Sequence, residues 1–134
     1  MRKLALKIAF KFLGKPYLWG GDDPSGFDCS GFVIEVLKSV GTLPRKGDWT
    51  AAMLARTWTV ISDPRPGDLV FWATGTGRII HIEMCIGKGL AIGASGGSRN
   101  TRTYQDAIKQ NAYIKIRPIL MRPGVWRYVN PFGD

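Results

Sequence analysis

The chain has 134 residues and a mass of 14.8 kDa, the size of one compact domain and too short for two comfortable ones. Hydrophobic residues make up 45% and charged residues 22%, which excludes a disordered or fibrous chain. Nineteen Lys and Arg against ten Asp and Glu give a formal charge of +9. That excess points to an anionic partner, whether nucleic acid, a lipid surface or an anionic polymer.

The predicted elements begin with a helix over residues 2–13. Leu4, Leu6, Ile8, Ala9, Phe10, Phe12 and Leu13 interleave with Lys3, Lys7 and Lys11 and stop at Gly14, with Pro16 just beyond. The three lysines interrupt any apolar run, so the stretch is read as no signal peptide, and no segment reaches the roughly 18 apolar residues of a bilayer span. Residues 15–28 read as a loop rich in Gly, Pro, Asp and aromatic side chains. Phe32, Val33, Val36, Leu37 and Val40 recur at helical spacing and predict a second helix over 29–40, closed by Gly41. Thr50 caps a short helix to about Arg56. Short β-rich runs follow at 58–61, 68–72, 79–86, 90–93 and 113–117, separated by Gly and Pro turns. Helices first and strands after predict a single α+β domain over 1–134, with helices packed on one side of a small, mostly antiparallel sheet.

Cys29 opens the second predicted helix. There the partial positive charge of the helix end favours a thiolate, and free N–H groups are available to a developing oxyanion. Cys85 is read as a small, partly buried residue that shares a strand face with the histidine, near the Cys29 thiol. A thiol nucleophile needs a base that titrates near neutrality, and His81 is the chain's one histidine. Strand alternation puts Ile80, Ile82, Met84 and Ile86 on one face and His81, Glu83 and Cys85 on the other. One histidine and two separated cysteines make no metal-ligand spacing, so neither a metal nor a cofactor is expected.

Four blocks in order, Pro16-Tyr-Leu-Trp-Gly-Gly21, Phe27-Asp-Cys-Ser-Gly-Phe32, Arg65-Pro-Gly-Asp-Leu-Val-Phe71 and His81-Ile-Glu-Met-Cys-Ile-Gly87, resemble the successive signatures of NlpC/P60 cysteine peptidases over about residues 5–117. The resemblance implies a papain-like α+β core and hydrolysis of peptide bonds in peptidoglycan stems, often between a D-γ-glutamyl residue and the adjoining diamino acid. By resemblance Cys29 is the nucleophile and His81 the base. Tyr17 and Asp28 match positions lining the substrate cleft, with Asp28 able to receive a free stem-peptide amine, and Ser30 matches a substrate-binding position beside the nucleophile. Trp19, in the loop before Cys29, is the tryptophan expected to meet substrate, whereas Trp58 and Trp72 lie in strand runs and are expected in the core.

One position departs from the family pattern. The polar residue, usually histidine, that orients the base from the following strand falls here on Gly93, which has no side chain. Glu83 is one replacement, although side chains two apart on a strand start about 6.6 Å apart, which predicts a strained direct hydrogen bond. Ser95, Asn100, a backbone carbonyl or a water are the others. The activity expected is that of a cysteine endopeptidase. A fold-retaining wall-binding module without catalysis and a related thiol amidase or acyltransferase stand as alternatives. The partners expected are peptidoglycan and anionic wall polymers, with no nucleic-acid motif behind the +9. Without a leader or anchor in view, the site of action expected is the cell wall, reached in the manner of a phage lysin through a holin or in the virion.

Overall fold

The computed structural model describes residues 1–23 and 25–134; Pro24, inside the predicted 15–28 loop, lies outside the described residues. Helix α1 (Arg2–Lys11) buries Ala5 and Ala9 against α2 (Cys29–Ser39), and the turns after it end at Gly14, whose φ of +84° suits a residue without Cβ. Helix α2 buries Gly31, Phe32, Val33, Ile34, Val36 and Leu37. Each large apolar side chain taken fully from water in this way contributes about 1.5–3 kcal/mol. Phe12, Phe27 and Phe32 meet edge to face with ring centroids 5.1–6.4 Å apart, joining α1, the loop and α2. The predicted loop holds a small hairpin, β1 (Asp22–Asp23) and β2 (Gly26–Phe27), in front of α2. Helix α3 (Ala51–Thr57) is capped by Thr50, whose hydroxyl accepts the Met53 N–H.

The remaining strands form one antiparallel sheet: β3 (Thr59–Ile61), β4 (Leu69–Ala73), β5 (Ile79–Gly87), β6 (Leu90–Ser95), β7 (Tyr113–Pro118) and β8 (Val125–Asn130), in spatial order β3-β8-β4-β5-β6-β7. The α+β architecture therefore matches the sequence expectation. Two elements extend it. Helix α4 (Tyr104–Gln110) is opened by a capping box between Thr103 and Asp106, and β8 brings the C-terminal segment between β3 and β4.

β5 is an interior strand. Ile82 and Met84 are fully buried in the cluster that includes α2, while Cys85 on the other face is buried with Val70, Trp72, Ala91 and Ile119. Trp72 is buried as expected, whereas Trp58 is only partly buried at the end of α3. Pairing of β4 with β5 shifts between Trp72 and Ala73, because Trp72 pairs His81 but Ala73 pairs Ile79. The extra residue, Ile80, is 44% exposed, so the expected even alternation through Ile80 breaks just before the histidine.

Arg2 ties the first helix to the opposite end of the chain. Its guanidinium donates to Asp68, Asn130 and Asp134, and Asp68, fully buried, also accepts the Arg65 N–H.

Candidate active site

The N-terminus of α2 is built by Asp28. Its carboxylate accepts the Gly31 N–H at 2.7 Å and the Gly20 N–H at 3.2 Å, joining the start of the helix to the Pro16–Gly21 segment. A Cβ at Gly31 would run into the Gly21 carbonyl and lie 2.8 Å from Asp28 Oδ1, so only glycine fits this junction. With Gly31 bonded to the cap, the N–H groups of Cys29 and Ser30 are the first-turn donors left without a helical partner.

Tyr17, Trp19, Asp28, Cys29, Ser30, Ile79, Ile80, His81 and Arg99 are among the residues lining one cleft of about 390 Å³. All the side chains expected to act or bind, other than Glu83, are in that lining. Tyr17 is buried and its ring lies against Gly97, where any Cβ would collide with it. Burial, followed by the nearby Cys29 and Asp28, holds the Tyr17 phenol well above its ordinary value. Trp19 is 52% exposed, and its backbone N–H donates to the Thr101 carbonyl at 2.7 Å, fastening the aromatic rim to the loop that carries Arg99. Ser98 and Thr101 hold that loop through hydrogen bonds to one another's backbone and hydroxyl groups.

Cys29 is partly buried. Burial, reinforced by the Asp28 charge, pushes its thiol up to about 11, against the N–H groups of Ser30, Ile82 and Cys29 itself, which pull it down. The resting group is therefore a thiol near neutral pH, contrary to the expectation that the helix end favours the thiolate; burial outweighs the helix end. The thiol and the His81 imidazole line the same cleft. Cys85 is not in this cleft. It is 2% exposed in the Val70, Trp72 and Ala91 cluster, and burial pushes its thiol up to about 12.

His81 and Glu83 are both buried, at 5% and 4% exposure, so their strand face is not a solvent face. His81 Nε2 and Glu83 Oε2 lie 2.6 Å apart. The bond forms despite the spacing, because the side chains extend beyond their Cβ atoms, with that of Glu83 lying over Gly93 of β6. The register Met84↔Ile92 puts Glu83 beside Gly93, and a Cβ there would lie 2.8 Å from Glu83 Cδ and 3.0 Å from its Cβ. The imidazole is flanked by Trp72, with ring centroids 5.2 Å apart. Burial holds its basicity below the ordinary histidine value, opposed by the Glu83 hydrogen bond and charge. Ser95 instead receives a hydrogen bond from Arg117, and Asn100 is exposed. Among the described residues no group of three or more His, Cys, Asp or Glu is placed to hold a metal.

The NlpC/P60 family model matches residues 14–118. The chain belongs to the NlpC/P60 family. Among its relatives, a protein of Listeria seeligeri named probable endopeptidase p60 is 47% identical over 88 residues, covering 64% of this chain and 16% of that protein. A Bacillus subtilis protein named gamma-D-glutamyl-L-lysine dipeptidyl-peptidase is 35% identical over 111 residues, covering 79% of this chain and 37% of its own length. This NlpC/P60 chain thus spans well under half the length of either curated relative. The solved NlpC/p60 domain of peptidoglycan hydrolase SagA superposes with a TM-score of 0.73 at 29% identity, covering 97% of this chain and 98% of that one.

Proposed function

We propose that this NlpC/P60 domain is a cysteine endopeptidase that cuts stem-peptide bonds of bacterial peptidoglycan. The convergence of Cys29, at the open end of α2, with His81 in one cleft carries this reading. In this scheme His81 takes the Cys29 proton as Sγ attacks the scissile carbonyl. Because Nε2 faces Glu83, Nδ1 is the nitrogen left to receive it. The N–H groups of Cys29 and Ser30 receive the tetrahedral oxyanion. His81 then protonates the leaving amine, and the thioester of Cys29 remains. Water, losing a proton to His81, hydrolyses the thioester to a free carboxylic acid and restores the thiol.

The cleft also suits the ends of such a substrate. Asp28 and Arg99 are its carboxylate and its arginine; Asp28 offers a partner for a free stem amine, and Arg99 one for the α-carboxylate that a γ-linked glutamyl residue keeps beside the bond cut. Tyr17, Trp19 and Ser30 supply contact surface and hydrogen bonding between them. The name of the Bacillus subtilis relative supports a γ-D-glutamyl bond.

Mass spectrometry of digested sacculi tests the proposal. Wild type is expected to release stem fragments with new amino termini and Cys29→Ala to release none. Equal release by both proteins overturns Cys29 chemistry. A second reading, wall binding without hydrolysis, is favoured by the missing side chain at residue 93. It predicts sacculus binding with no fragments released by wild type.

A further inference from the structure

We infer that Glu83 is the positioning residue of His81, holding the imidazole from two residues along the same strand, and that Gly93 is glycine because the Glu83 side chain occupies the space above it. This deepens the endopeptidase reading and rests on it for the role of His81.

Burial, the hydrogen bond and the neighbouring glycine converge on the pair. An ionised carboxylate is costly to bury without partners, yet Glu83 is 4% exposed, and His81 is its one side-chain hydrogen-bond partner among the described residues. The 2.6 Å separation is short for an N–H···O bond, and a neutral imidazole meets a carboxylate at that distance by donating Nε2–H. Such a bond fixes the proton on Nε2, leaves Nδ1 as the acceptor and sets the ring angle. Gly93 completes the arrangement from the neighbouring strand. Any side chain there would overlap Glu83 Cγ and Cδ, so the carboxylate and a larger residue 93 cannot both keep their places.

The other polar candidates are engaged elsewhere or exposed. Ser95 is bonded by Arg117, and Asn100 lies on the outer loop. Trp72 closes the other side of the imidazole and donates its own indole N–H to the Arg122 carbonyl, so it offers His81 packing without an acceptor.

The experiment uses ¹⁵N-imidazole NMR, in which the one histidine of the chain gives an unambiguous signal set, alongside kcat and KM on a soluble stem peptide. In wild type the Nε2–H tautomer should dominate. In Glu83→Ala the two tautomers should mix, and kcat should fall roughly 10²- to 10⁴-fold with KM within about threefold, as expected when an orienting group is lost. Glu83→Gln, whose side-chain carbonyl still accepts Nε2–H, should keep the tautomer and lose no more than about tenfold. Glu83→Ala combined with Gly93→His should recover at least about tenfold over Glu83→Ala, because the new imidazole enters the vacated space beside His81.

Retention of the wild-type tautomer in Glu83→Ala overturns the proposal, as does a kcat within about threefold of wild type. Glu83→Gln provides the same tautomer readout if the alanine variant does not fold; loss of Nε2–H in that variant counts against the proposal. The NMR readout needs no turnover. Absence of hydrolysis by wild type would therefore remove the endopeptidase reading while leaving the hold of Glu83 on His81 separately measured.

Discussion

At the scale of single residues, Cys29 and His81 form a pair that rests uncharged. The thiol is raised to about 11 and the imidazole is lowered, each mainly by burial. Iodoacetamide should therefore modify Cys29 of the free protein more slowly at pH 7–8 than it modifies an exposed thiol, with the rate still rising towards pH 11. Alkylation faster than free cysteine at pH 7 would contradict this. The histidine gives a second expectation. Folded His81 stays neutral below the pH at which the unfolded chain takes up its proton, so its stabilising effect is complete above about pH 6.5 and declines as pH falls through that value. Glu83 opposes this shift, whereas Arg122 and Arg117 reinforce it. Urea midpoints at pH 7.5 and 5.5 should differ less in His81→Gln than in wild type. Both positions were legible in the sequence, one from a helix boundary and the other from being the sole histidine. The thiol's ionisation was not, because desolvation depends on what the fold stacks above Cys29. Nor was the His81–Glu83 bond, since spacing between Cβ atoms says nothing of where the ends of two side chains meet.

At the scale of elements, the opening of α2 depends on the close approach of Gly21 to Gly31. Gly31→Ala should destabilise the protein by about 2 kcal/mol or more, because relief requires the Pro16–Gly21 segment to move away from the helix cap. Chemical denaturation measures this, and a loss under about 0.5 kcal/mol would show that the junction yields. Helix α2 was readable from its apolar spacing and Gly41. Helix α4 buries Ala107 and little else, so periodicity does not reveal it. Its usable signal was the Thr103-x-x-Asp106 cap. Strand β8 owes its place to pairing with β3 and β4, more than 50 residues earlier in the chain by the register Leu69↔Val129, which no local window contains.

For the whole molecule, Arg2 is the bolt between the first helix, the Asp68 turn and the C-terminal segment. Arg2→Ala leaves the carboxylate of fully buried Asp68 without its guanidinium, a change expected to cost roughly 3–5 kcal/mol and visible as a lowered Tm. A shift of less than 1 °C would mean that the Arg65 N–H satisfies Asp68 alone. The α+β class was legible because apolar period changes along the chain from helical to strand-like. Strand order was not, because the last strand inserts between the first two strands of the sheet, β3 and β4. The +9 acts over the whole surface, and binding to anionic sacculi should weaken between about 50 and 500 mM salt more than cleavage of a small soluble stem peptide does. Parallel salt curves for sedimentation with sacculi and for peptide turnover check it; coincident curves would remove charge as the source of wall affinity.

The contact between Glu83 and Gly93 also restricts the order in which mutations can accumulate. A side chain appearing at residue 93 is blocked while Glu83 fills the space, whereas shortening residue 83 first removes the block. The two sites therefore show epistasis: the same substitution at 93 is harmful or acceptable according to what stands ten positions earlier. Exchange of one arrangement for the other is therefore expected to run more easily through the intermediate with an empty space.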